Sequence, residues 1–107
     1  MARKIEALMN AAILNRKDWK SANTRVESEQ GNRISRVYLH GNKIAEVGDN
    51  FIKLYDGGGR SVTTKSRLNA ILRGNGNGTE GVYQRNHQWY ISHDGIEEEF
   101  QSGMILS

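Results

Sequence analysis

Proline is absent from all 107 residues while glycine occurs twelve times. Every change of direction therefore falls to glycine, asparagine and their neighbours. Glycine adopts positive φ at little cost and interrupts regular structure, so its spacing cuts this chain into short elements separated by turns. That pattern favours antiparallel strands joined by hairpins.

One longer element precedes them. Ile5, Leu8, Met9, Ala12 and Ile13 follow the i, i+3, i+4, i+7, i+8 spacing of one buried helical face. Arg3, Lys4, Glu6, Asn10 and Arg16 fall elsewhere. The spacing predicts a helix over about 2–18, with Trp19 covering the core just beyond it. A lone helix of this length is marginal in water and must pack on a sheet.

Strands are then predicted at 24–29, 34–40, 43–47 and 51–55, with turns at 30–32, 41–42 and 48–50. Gly41 and Asn42 suit a type II′ turn, which would set Leu39 opposite Ile44 and Tyr38 opposite Ala45. The glycine-rich loop at 56–60 leads into a second, short helix at about 64–73, with Leu68, Ile71 and Leu72 apolar and Gly74 as its stop. Residues 75–78, NGNG, form another connection. A hairpin over 81–92 turns at Asn86 and His87, and EEEFQSGMIL adds a last strand. The expectation is one α+β domain over 1–107, an antiparallel sheet of about five to seven short strands packed with two helices.

Several function classes drop out. With no cysteine there are no disulfides, thiol nucleophiles or cysteine metal sites. No apolar run approaches the roughly 20 residues of a membrane span. The basic and apolar start lacks a cleavage site, so a signal peptide is rejected and a cytoplasmic protein expected. His40, His87 and His93 do not assemble a ligand set, so no metal is expected. Neither a nucleophile elbow nor a pair of carboxylates at catalytic spacing stands out, so neither enzyme activity nor a cofactor is expected.

Net charge is only +3, but residues 1–73 carry an excess of seven positive charges and residues 74–107 an excess of four negative ones. Two surfaces of opposite sign, or a fold that pairs them off, would both explain this polarity.

The stretch SVTTKSRLNAIL, residues 61–72, is the densest in candidate chemistry. Thr63 or Thr64 can cap the helix. Its first turn offers free N–H groups and partial positive charge to an anion, with Arg60, Thr64, Lys65, Ser66 and Arg67 as candidate phosphate or nucleic-acid ligands. Cations here oppose the helix dipole, so an anion is called for. A ligand would serve, as would Asp56 or the acidic run at 97–99. The phosphate-loop spacing is absent, and a capped helix with surface charges is the simpler reading of these residues.

Tyr38, Tyr55, Tyr83, Trp89 and Tyr90 are candidates for stacking on bases. Tyr83 and Trp89 share parity, with Tyr90 facing the other way. With Arg85 they would make a platform for single-stranded nucleic acid, or else simply fill the core. Glu97, Glu98 and Glu99 read as a charged strand edge that discourages aggregation, or as an imitation of phosphates offered to a basic partner.

NTRV (23–26), RVYLHGNKIAEV (36–47) and VTTKSRLNAIL (62–72), with QWYI (88–91) and F-x-x-GM-x-L (100–106), resemble small accessory proteins of tailed bacteriophages. The resemblance implies a virus-encoded cytoplasmic protein that binds a host component, often to blunt a defence such as CRISPR. It carries no site residues over. The resulting expectation is a non-enzymatic binder that occludes a host protein. The alternative is a nucleic-acid or nucleotide-phosphate binder using residues 60–67. An exposed edge strand would also allow a homodimer.

Overall fold

In the computed structural model, residues 4–106 are described. They form two helices, α1 (Lys4–Leu14) and α2 (Val62–Asn75), and nine strands. These are β1 (Trp19–Ser21), β2 (Thr24–Glu29), β3 (Ile34–Leu39), β4 (Asn42–Val47), β5 (Ile52–Leu54), β6 (Gly81–Arg85), β7 (Gln88–His93), β8 (Ile96–Glu99) and β9 (Met104–Leu106). The α+β class is as expected. The strands divide into two antiparallel sheets, in the orders β1-β2-β3-β4-β5-β9 and β6-β7-β8.

The sheets divide at Phe100, within the segment expected to be one last strand. Its ring is fully buried and meets Trp89 edge-on at 5.4 Å, while its N–H donates to the Trp89 carbonyl at 3.0 Å. Burial of that ring ends β8. The chain then turns and returns as β9 on the open side of β5.

Alternation of burial along β3 places Ser35, Val37 and Leu39 inward. The hairpin after it differs from the expected one. His40 and Gly41 form the turn, with φ of 52° and 80°, the double positive φ of a type I′ turn. Leu39 therefore lies opposite Asn42 and Tyr38 opposite Lys43, whereas Val37 faces Ala45. Ile44 is the extra residue of a β-bulge, which lets Ile44 and Ala45 both point into the core.

On α1 the buried stripe runs through Glu6, Met9, Ala12 and Ile13. Leu8, expected inside, is 44% exposed, and Glu6, expected outside, is 1% exposed. The expected helix start at residue 2, and Arg3, lie outside the described residues.

Helix α2 begins two residues earlier than expected because Ser61 is its N-cap, its hydroxyl accepting from the Thr64 N–H at 3.1 Å. Gly74 is not its stop. A Cβ there would come within 2.7 Å of Asn10 Nδ2, so this glycine permits close approach of α1. Asn10 secures the crossing by donating to the Ala70 carbonyl at 2.9 Å. One apolar core joins α1, α2, the inner face of the large sheet and Val82, Trp89 and Ile91 of the small one.

Candidate functional site

The first turn of α2 brings the candidate phosphate ligands close together and turns several of them inward. Arg67 is 4% exposed. Its Nη1 donates to Glu6 Oε2 at 2.9 Å, its Nε to Thr24 Oγ1 at 3.1 Å and its Nη2 to Asn23 Oδ1 at 3.4 Å. Ser66 Oγ donates to the same Glu6 oxygen at 2.6 Å, and Arg73 Nη2 lies 3.8 Å from Glu6 Oε1. The anion that the cationic first turn calls for is thus the Glu6 carboxylate of α1. Thr64 is buried, and its hydroxyl meets Ser61 Oγ at 2.9 Å.

Arg60 braces the glycine loop. It pairs with Asp56 at 3.3 Å and donates from Nη2 to the Phe100 carbonyl at 3.2 Å, with its guanidinium carbon 5.6 Å from the Trp89 ring. Asp56 also accepts from the Gly58 N–H at 3.0 Å. Its carboxylate therefore occupies the loop amide that a phosphate would have to share. A concavity of about 410 Å³ lies between this loop and the β3–β4 hairpin. Lys65, whose Nζ is 3.5 Å from Gln84 Oε1, remains the member of the group whose charge is answered by no carboxylate within 4 Å among the described residues.

The three-stranded sheet collects the other candidates. Asn86 and His87 turn with φ of 53° and 64°, and the register sets Tyr83 opposite Tyr90 and Gln84 opposite Trp89. Direct cross-strand partners share a face. Tyr83 and Tyr90 therefore stack together, centroids 5.8 Å apart, and Trp89 points into the core. The expected parity is corrected by the two-residue turn, which pairs odd positions with even ones.

Next along this face, the Arg85 guanidinium lies 5.0 Å from the Tyr90 centroid and 5.9 Å from that of Tyr83. Asp94 and Gly95 make the second tight turn, with φ of 51° and 80°. The resulting β7–β8 register brings Glu99 opposite Tyr90 and Glu97 opposite Ser92. Glu97 and Glu99 consequently join the tyrosines and Arg85 on the outer face, while Glu98 lies on the reverse and meets His93 Nε2 at 2.6 Å.

Arg85 Nη2 is 4.0 Å from Glu97 Oε1, and Gln88 donates to Glu99 Oε1 at 2.9 Å. The Tyr83 hydroxyl is shielded and makes no hydrogen bond of good geometry. Its approach to the Glu97 carboxylate nevertheless holds the phenol pKa above its ordinary value, with burial adding to the effect. β8 is an edge strand whose four residues are all exposed.

The sequence separated this surface into an aromatic–arginine group and an acidic run. The signal that joins them is Asp94-Gly95, among the strongest two-residue hairpin signals.

Among the described residues no group of three or more His, Asp and Glu could hold a metal ion, and no helix is long and apolar enough to cross a membrane. A family model described as Kyanoviridae Gp96 protein matches residues 2–107. No curated protein and no solved structure matches the chain.

Proposed function

The chain belongs to the Kyanoviridae Gp96 family of phage proteins, and from that premise we propose that it is a non-enzymatic binding protein. In this reading it acts in the host cytoplasm and occludes a host protein, in host takeover or against a host defence.

The observation that carries the reading is the outer face of β6-β7-β8, where Tyr83 and Tyr90 stack beside Arg85, Glu97 and Glu99. Tyrosine and arginine dominate binding hot spots: tyrosine buries a large area with only two rotatable bonds to freeze, and the planar guanidinium stacks and donates several hydrogen bonds at once. The two carboxylates outnumber the one guanidinium, so the face complements a basic protein surface and repels nucleic-acid phosphates. The exposed β8 edge keeps unintended strands away by its charge, leaving the tyrosine centre for a partner that can answer the glutamates.

Immobilised protein incubated with host lysate tests this. The wild type captures a host protein, and capture weakens as salt rises. The double variant Glu97→Lys with Glu99→Lys loses that same protein while keeping its melting temperature within a few degrees. If no captured protein depends on these residues, the reading fails.

A further inference from the structure

The outer face of the large sheet carries a second, independent surface. Register places Lys20 beside Arg25, Arg25 beside Tyr38 and Tyr38 beside Lys43. Tyr55 extends the row by one strand, donating its N–H to the Ile44 carbonyl at 2.8 Å. The row therefore runs from β1 to the residue that follows β5, with cations and aromatic rings and no carboxylate. Four steps of about 4.8 Å make it about 19 Å long.

Its members are mutually ordered. The Arg25 guanidinium sits 4.4 Å from the Tyr38 centroid. Lys43 Nζ and Lys53 Nζ lie 4.8 and 5.5 Å from the Tyr55 centroid.

Two carboxylates flank the row on the side away from the β3–β4 turn. Glu27 is 3.5 Å from Arg25 Nε, and Glu46 is 2.9 Å from Lys43 Nζ. The other side opens to the turns at 22–23 and 40–41. There Lys20, Arg25, Tyr38, Asn23 and His40 line a concavity of about 290 Å³. Lys20 makes no ion pair within 4 Å among the described residues.

We infer that this row binds single-stranded nucleic acid. Its phosphates would run along the turn side against Lys20, Arg25 and Lys43, and its bases would stack on the Tyr38–Arg25 and Tyr55 surfaces. Aromatic and guanidinium planes accept unstacked bases, which a duplex does not offer. A row this long suits roughly four nucleotides, the short end of such platforms. The inference does not rest on the protein-binding reading of β6-β7-β8, and it uses different residues from the cationic first turn of α2.

The probe is a fluorescein-labelled dT12 strand titrated by anisotropy over a salt series, with a 12-base-pair duplex as comparison. Binding of dT12 should be tighter than that of the duplex, with log K falling against log salt at a slope of about −2 for three neutralised phosphates. Tyr38→Ala should weaken binding roughly tenfold. Lys20→Glu, at the one exposed residue of a three-residue edge strand, leaves the fold intact and should weaken binding and flatten the slope by about 0.7. The Glu97→Lys, Glu99→Lys variant should retain dT12 binding through this row, which separates the two surfaces. The inference is overturned by no dT12 binding, by equal or tighter duplex binding, or by an affinity unchanged in Lys20→Glu.

Discussion

Replacing Glu6 with alanine should be among the most damaging single changes in this protein. The carboxylate is 1% exposed and Arg67 4% exposed. The substitution strands a guanidinium in the interior with only Thr24 and Asn23 as neutral acceptors and removes the acceptor of Ser66. Breaking a buried ion pair from one side costs about 3–5 kcal/mol, a large part of the 5–15 kcal/mol that holds a typical domain together. For a chain of 107 residues, each kcal/mol moves the melting temperature by about 4–5 °C, so the drop should be roughly 12–25 °C.

Urea unfolding followed by the fluorescence of buried Trp89 gives the free energy directly. The double variant Glu6→Leu with Arg67→Met removes both charges and should recover most of the loss. Lys65→Ala, in the same turn, should stay within about 0.5 kcal/mol of wild type. A Glu6→Ala cost below about 1 kcal/mol, or a double variant no better than the single, would refute the assignment of this carboxylate as the internal counter-ion of α2.

Smaller perturbations test local geometry. Ser61→Ala should cost about 1 kcal/mol by removing the N-cap acceptor, whereas Thr63→Ala should be nearly neutral; urea midpoints separate them. In the β3–β4 turn, Gly41→Ala should destabilise by about 1 kcal/mol because its φ of 80° strains any side chain, even though a Cβ there would meet nothing within 4 Å, while His40→Asn should stabilise the hairpin slightly. The pH dependence follows from Glu46. Burial raises its pKa, but hydrogen bonding to Lys43 and the charges of Lys43, Arg36 and Lys53 outweigh that and hold it below its ordinary value of 4.5. A depressed carboxylate contributes stability above its unfolded pKa and loses it as pH falls through the folded one. Glu46→Gln should therefore lower the melting temperature near neutrality, flatten the profile below about pH 5 and converge on wild type in acid, where the wild-type carboxyl is protonated. Glu97→Gln should bring the Tyr83 phenol back toward its ordinary pKa, read by ultraviolet absorbance.

The α+β class was legible because hydrophobic spacing and glycine placement are local properties. The turn at Asn86 and His87 and the strands around it could be read for the same reason. What escaped the sequence depended on register or on contacts distant along the chain. Gly41-Asn42 and His40-Gly41 differ by one residue in local chemistry, yet shifting the turn moves Tyr38 from Ala45 to Lys43 and creates the bulge at Ile44. The parity of Tyr83 and Tyr90 likewise depends on turn length, not on either residue. Glu6 looked like a solvent-facing charge because its partners, Ser66 and Arg67, lie 60 and 61 residues away. The cationic first turn of α2 did register as a demand for an anion, but only the α1–α2 crossing supplies it. Tyr38 and Tyr55 could be named from sequence as stacking candidates, but not the row that joins them to Lys20, Arg25 and Lys43, since its members come from four strands and the residue after a fifth.

Hydrogen–deuterium exchange on the chain, alone and with the host protein it captures, tests the central claim most directly. The account predicts slower exchange across residues 83–99, strongest in the open β8 edge, with little change in α1. Protection confined to residues 60–67, or none within 83–99, would contradict it.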